Sequence, residues 1–137
     1  MVETTPTFHD GYLTGVSVGE GFAILSLQRE NGEAWEIRLA EVEALQMDDF
    51  RQGNIVFGVE LTTGTAPEAA PFERLFGRPH PAAAKEYHEA FDQLIRRKMA
   101  MVEEGTATLL VLTSSYGADL VALCHSVKCE PILANGS

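Results

Sequence analysis

Two apolar runs near the end of the chain constrain its fold more than any other feature. The stretch Thr106–Val127 contains Leu109–Leu112 and Leu120–Cys124, which flank the link Ser114–Gly117. Both runs are apolar at odd and at even positions, whereas a strand with one solvated face alternates. We therefore expect residues 106–127 to form a β-hairpin at the centre of the fold, covered on both faces by the rest of the chain.

The length of 137 residues predicts a single domain that buries a core without disulfides. Its two cysteines, Cys124 in an apolar run and Cys129 just after it, do not indicate a disulfide framework. No apolar run reaches the ~18–20 residues that span a bilayer. The first residues have no basic segment followed by an apolar one, as a signal peptide does. We therefore expect a cytoplasmic protein that binds no membrane.

Residues 8–62 have the pattern of an antiparallel β-meander. Turn signals at Gly19–Gly21 and Glu30–Gly32 separate the first three segments. Residues Glu41–Met47 either extend the third strand or form one helical turn. The predicted strands are Tyr12–Val18, Phe22–Gln28, Ala34–Leu39 and Asn54–Thr62.

Alternation within these strands assigns side chains to the two faces of the sheet. In the third strand, Trp35, Ile37 and Leu39 are expected to face the core, with Glu36 and Arg38 outside. In the other two alternating strands, one side carries Tyr12, Thr14, Val16 and Val18, and one side carries Ile55, Phe57, Val59 and Leu61.

Residues 63–81 form a connection that contains four prolines and two glycines. Within it, Phe72, Leu75 and Phe76 fit one short helical turn with an apolar side. That apolar side either packs against the core of this chain and so attaches the loop to it, or binds a partner. These three residues are the candidates for partner binding.

Residues 82–104 are predicted to form a long amphipathic helix. Pro81 suits the first helical position, and Gly105 suits the position just past the end. The predicted fold is therefore α+β, a bent antiparallel sheet of about six strands with this helix packed on its concave side. The alternative is a partly closed barrel of the first four strands, with the helix and the hairpin appended.

The negative charge is concentrated in the first half of the chain. Residues 1–76 carry thirteen acidic residues against four arginines, a net charge of −9, out of −10 for the whole chain. Such a surface repels a phosphate backbone, which argues against nucleic-acid binding. It attracts a basic protein partner, although an acidic surface also serves solubility alone.

Few residues in the sequence point to chemistry. His9-Asp10 resembles part of a metal site but opens a β-meander, and Cys124-His125 with Cys129 lacks the second ligand pair of a zinc site. No nucleophile, phosphate-loop or metalloprotease motif is present. We therefore predict no catalytic residue, no metal and no cofactor. A ligand pocket would need residues that meet only in space, with His9, Asp10, Tyr116 and His125 as the candidates.

Three segments carry a resemblance to a known class of proteins. Phe8-His9-Asp10, the strand Trp35–Leu39 and Gly53-Asn54-Ile55-Val56 resemble short bacterial domains of uncharacterised function. Some of those domains are immunity-like proteins encoded beside toxins. The resemblance covers roughly residues 8–60 and implies a small binding protein, without any catalytic residue.

Three classes of function remain open from the sequence. The first is a non-catalytic protein-binding module, including an immunity-like protein that blocks a basic partner. The second is a homo-oligomeric structural protein, for instance a homodimer joined through the apolar hairpin. The third is an enzyme or small-ligand-binding protein whose site is assembled only in space.

Overall fold

The structure, a computed structural model, describes residues 7–133 and contains six strands and two helices in that range. The elements in chain order are β1 (Tyr12–Gly19), β2 (Phe22–Gln28), β3 (Ala34–Asp48), β4 (Asn54–Thr62), α1 (Ala70–Phe76), α2 (Lys85–Glu104), β5 (Thr108–Tyr116) and β6 (Asp119–Pro131).

The six strands form a closed antiparallel barrel with the order β1-β2-β3-β6-β5-β4. β4 closes it, because β4 pairs with β1 at Asn54 and Ile55 and with β5 along most of its length. The prediction of an α+β fold, a bent sheet with one long helix on its concave side, is therefore wrong. The alternative barrel of four strands is also wrong, since the hairpin supplies two of the barrel strands.

The two faces of the β5–β6 hairpin are covered by different parts of the chain. Leu110, Leu112 and Leu120 point into the barrel, where they join buried residues from all the other strands. Leu109 and Leu123 point outwards into a second buried cluster beneath the helices. Each fully buried leucine of this kind contributes roughly 1.5–3 kcal/mol. The helices therefore cover the convex outer side of the barrel, because side chains already fill its interior.

The long helix α2 begins at Lys85 rather than at residue 82 and ends at Glu104. Gly105 adopts the left-handed conformation, and its N–H bonds the carbonyls of Met101 and Val102, as the sequence predicted for a glycine past the end. The buried stripe of α2 consists of Phe91, Ile95 and Val102.

The first three strands pair as a meander, but β4 does not continue it as predicted, because β4 pairs with β1 and β5. β3 continues through Glu41–Met47 as a strand. Ile37 and Leu39 are buried in the barrel, as the alternation predicted. None of the helices that residues 7–133 form is long and apolar enough to cross a membrane.

Irregularities in the ladders change which side chains reach the barrel interior. The pairing of β4 with β5 shifts on both sides of Val56, and the pairing of β1 with β2 shifts between Leu13 and Gly15. As a result Val56 is buried, whereas Phe57 is 59% exposed. Each β-bulge adds a residue to one strand and breaks the period of two on which a face assignment depends.

Candidate functional site

The structure brings three of the four candidate ligand residues to the region around the start of β4. His9 Nδ1 lies 2.9 Å from the carbonyl oxygen of Phe57, and the Asp10 N–H bonds the carbonyl of Val56. Tyr116 is the cross-strand neighbour of Ile55. The backbone of β4 therefore joins residues that are far apart in the sequence.

Four exposed aromatic side chains surround this region, and we call them the aromatic surface. They are Tyr12, Phe50, Phe57 and Tyr116, with exposures of 42%, 46%, 59% and 49%. Tyr12 and Tyr116 are both cross-strand neighbours of Ile55, so the three side chains follow one row across β1, β4 and β5. The bulges of the β4–β5 ladder lie beside this row, where bulges commonly re-aim side chains.

The loop from Asp49 to Gly53 forms one border of the aromatic surface, and a buried asparagine holds it. Asn54 accepts hydrogen bonds from the backbone N–H groups of Arg51 and Ala118, and it donates to the carbonyls of Arg51 and Leu13. Its side chain is only 1% exposed. This amide therefore connects the loop, β1 and the β5–β6 turn.

Two non-glycine residues beside the aromatic surface have a positive φ. Asp10 has a φ of 63° and Asp49 a φ of 57°. A left-handed backbone is uncommon outside glycine, although aspartate adopts it more readily than most residues. Such conformations persist where the surrounding structure fixes them, and they cluster at functional sites.

An open cleft of about 560 Å³ lies between β1 and the Asp49–Gly53 loop. Tyr12 and Phe50 are among the residues that line it. Gln28 and Gln52 also line the cleft. Aromatic and amide residues therefore lie together around it.

Arg51 contributes the positive charge beside the aromatic surface. Its guanidinium lies 5.8 Å from the centre of the Tyr116 ring, a cation–π geometry. Its Nε donates to Asp49 Oδ1 over 2.9 Å. Asp49, with a further contribution from the Tyr116 hydroxyl, raises the pKa of Arg51. The local charge of Arg51 is thus balanced by Asp49.

The fourth candidate, His125, belongs to a different part of the molecule. Its ring nitrogens lie 3.4 Å from Glu41 and 4.0 Å from Glu43, at an irregularity of the β3–β6 ladder. Lys98 from α2 forms an ion pair with Glu43 over 2.5 Å. This cluster joins α2 to the barrel, and none of these ion-pair contacts involves a residue of the aromatic surface.

The three residues predicted to bind a partner pack against the chain itself. Phe72 is fully buried, and Leu75 and Phe76 pack against the same cluster beneath the helices. Partner binding by these residues stays a prediction, and their observed role is to attach α1 to the barrel.

Within residues 7–133, no group of three or more His, Cys, Asp or Glu side chains is arranged to hold a metal ion. Within the described part of the chain, neither Cys124 nor Cys129 forms a disulfide. Burial inside the barrel raises the pKa of Cys124 to about 11, which extends protonation of the thiol into alkaline solution.

Comparison of the chain with protein-family models, curated proteins and solved structures finds no match in any of the three. The resemblance to immunity-like domains therefore stays a prediction.

Sequence reasoning missed most of the aromatic surface. Alternation alone assigned Tyr12 and Phe57 to one face of their strands, and the bulges interrupt that alternation. Phe50 lies in a connection that is otherwise polar, between Asp49 and Arg51. An aromatic residue flanked by charges in a short loop is the signal that points to this site.

Proposed function

We propose that the protein is a non-catalytic protein-binding module that docks a partner through the aromatic surface. The observation that supports this proposal is the set of exposed aromatic side chains around the half-buried Ile55: its cross-strand neighbours Tyr12 and Tyr116, together with Phe50 and Phe57. Contiguous exposed apolar groups mark interaction sites. Tyrosine, phenylalanine and arginine are also enriched in the centres of protein interfaces, and Arg51 supplies the arginine here.

Charge favours a basic protein as the partner. The chain has a net charge of −10, of which residues 1–76, the part of the chain up to the end of α1, contribute −9. A second copy of the chain carries the same charge and is repelled, whereas a basic protein is attracted and steered. An immunity-like role, in which this protein blocks a basic toxin, is one form of this function.

The proposal is tested with the immobilised full-length protein and an extract of the source cells. We expect wild type to retain a basic protein that the double variant Phe57→Ser, Tyr116→Ser does not retain. The matched control is Tyr87→Ser, which removes an aromatic ring that is 66% exposed on α2, outside the aromatic surface. The control variant should retain the partner as wild type does.

Salt dependence supplies a second readout. Association with a basic partner should slow as salt is raised, since the Debye length falls from about 30 Å at 0.01 M to about 8 Å at 0.15 M. Equal retention by the double variant and the wild type contradicts the proposal. So does sedimentation of the wild type as a dimer that the double variant converts to a monomer.

A further inference from the structure

One edge of strand β1 is open along most of its length. β1 pairs with β2 from Tyr12 to Gly19, but its other edge meets β4 only at Tyr12 and Leu13. Beyond Leu13, no strand formed by residues 7–133 pairs with this edge, and Gly15–Gly19 make no backbone hydrogen bond there outside the β1–β2 ladder. Alternate residues of an antiparallel strand direct their N–H and C=O groups away from the paired side. The edge at Gly15–Gly19 can therefore accept one more strand.

This edge lacks the charges and prolines that usually prevent strand addition. Natural edge strands carry lysine, other charged residues or proline, or a bulge turns them away. Residues Gly15–Gly19 read Gly-Val-Ser-Val-Gly, and their pairing with β2 is continuous, because the bulge of β1 lies before Gly15. Val18 on this edge is 66% exposed. An additional strand would cover apolar surface as well as backbone groups.

The sequence of this edge is the same in both directions. When a second copy of the chain pairs antiparallel about Ser17, Gly15 lies opposite Gly19 and Val16 lies opposite Val18. Opposed residues of an antiparallel ladder share one face, and β-branched pairs there are favourable. Val16 already packs against the barrel interior, so Val18 of the second copy extends that apolar contact. A two-fold dimer requires a self-complementary surface of this kind.

Another open edge of the barrel lacks this complementarity. β4 pairs with β1 only at Asn54 and Ile55, which leaves Gly58–Thr62 open on that side. Two-fold pairing centred on this segment places Glu60 opposite Glu60 of the second copy, and like charges directly opposite each other are destabilising. Of these two edges, only that of β1 suits a second copy.

Charge complementarity supports pairing about Ser17. This register places Glu20 of the second copy opposite Thr14, which lines the open cleft described above. Among the described residues that line the cleft, only Arg51 is charged. Asp49 bonds Arg51 through Nε, and a guanidinium has further N–H donors. Because Glu20 forms no ion pair within residues 7–133, each Glu20 is available to Arg51 of the other copy.

We infer that the β1 edge joins two copies of this chain into a two-fold dimer, with Gly15–Gly19 paired to itself and Ser17 on the symmetry axis. The barrel sheet of one copy then continues into the sheet of the other. This inference goes beyond the proposed function, because it concerns a strand edge and not the docking of a basic partner on aromatic rings. Five paired residues on each copy bury less area than a standard interface, so we expect a dissociation constant of about 10–100 µM.

Sedimentation of the full-length protein over a range of concentrations measures this dimer. Both copies carry a net charge of −10, so their repulsion weakens the dimer at low salt. Raising the salt from about 0.01 M to about 0.15 M should therefore strengthen dimerisation by about three- to ten-fold. Binding of the basic partner has the opposite salt dependence, which separates the two associations.

The residue on the symmetry axis tests the register. Ser17→Lys and Ser17→Glu each bring like charges together across the axis, so each variant alone should dimerise about five-fold more weakly or less. An equimolar mixture brings opposite charges together and should dimerise at least as well as wild type, which also shows that both variants are folded. Asn31→Lys and Asn31→Glu make the same charge changes at an exposed turn residue and should dimerise as wild type does.

The outcomes separate this inference from the proposed function. Wild type that sediments as a monomer at about 1 mM overturns the dimer, and so does a dimer that Ser17→Lys leaves unchanged. A mixture of the two Ser17 variants that stays monomeric overturns the register. Each of these results leaves the docking of a basic partner intact. If the mixture dimerises but Phe57→Ser, Tyr116→Ser still retains the partner, the proposed function fails instead.

Discussion

The side-chain oxygen of Asn54 occupies the space that a Cβ atom on residue 117 would need. Gly117 has a φ of 90° and packs directly against the Asn54 amide, whose Oδ1 accepts the N–H of the next residue, Ala118. One short turn between β5 and β6 is thereby fixed to the start of β4. The same amide also fixes the loop that carries Phe50 and Arg51.

Replacement of Gly117 by alanine should therefore destabilise the protein more than the positive φ of residue 117 would by itself. Gly32 provides the matched control, because its φ of 92° is similar but no atom lies within 4 Å of a Cβ placed there. We expect Gly32→Ala to lower the free energy of unfolding by about 1–2 kcal/mol, and Gly117→Ala by about 3–4 kcal/mol. Urea unfolding measures both, and equal losses contradict the role of the Asn54 contact.

Replacement of Asn54 by alanine should remove four hydrogen bonds and leave buried backbone groups without partners. We expect a loss of about 2–4 kcal/mol in the free energy of unfolding. Asn31→Ala serves as control, since Asn31 accepts the exposed Glu33 N–H and its replacement should cost less than about 1 kcal/mol. Amide hydrogen exchange should also accelerate at Arg51 in the Asn54 variant, and unchanged protection there disagrees with this arrangement.

Truncation of Phe72 should loosen the helices without opening the barrel. Its side chain is fully buried in the cluster beneath α1 and α2, outside the barrel interior. Phe72→Ala should cost about 3–5 kcal/mol, whereas Tyr87→Ala on the exposed side of α2 should change stability by less than about 0.5 kcal/mol. Hydrogen exchange should rise in α2 before it rises in β2. Simultaneous exchange of both elements contradicts the separation of the two clusters.

The buried thiol of Cys124 should make stability fall at high pH. Burial raises its pKa from 9.0 to about 11 in the folded state. Between these values the unfolded chain loses the thiol proton and the folded chain keeps it, so unfolding becomes easier as pH rises. The stabilisation is fully present below pH 9 and is lost as pH approaches 11.

Cys124→Ala isolates this effect from other groups that titrate at high pH. At pH 8 we expect the variant to be less stable than wild type, because a buried sulfur atom is removed. At about pH 10.5 the difference in the free energy of unfolding between wild type and variant should be smaller by about 2 kcal/mol, since only the wild type carries the titrating thiol. If the difference in the free energy of unfolding is the same at both pH values, the pKa of Cys124 is not raised in the folded protein.

Strand positions and turns were predictable because local signals set them. The boundaries of β2 and β4 agree with the prediction, and Gly105 ends α2 where the sequence placed it. Gly32 has the positive φ expected at the Glu30–Gly32 turn. These features depend on residues close together in the sequence, which is why propensity and alternation are sufficient for them.

The site was only partly predictable. His9, Asp10 and Tyr116 were candidates, and each of them contacts or pairs with a residue of β4, but Phe50 and Phe57 were not candidates. The bulges beside Val56 decide that Phe57 faces solvent. A bulge is set by the register between two strands, so neither strand's own pattern contains it.

The sequence by itself determined that the runs Leu109–Leu112 and Leu120–Cys124 of the hairpin are apolar on both faces and must be covered twice. Only the tertiary structure decided what covers it: the barrel interior on one side, and Phe72 with α2 on the other. The apolar residues of a strand show from its sequence alone that both of its faces are buried. Closure of the barrel depends instead on a long-range pairing, that of β4 with β1 rather than with β3. Alternation assigns a strand its faces but not its neighbours.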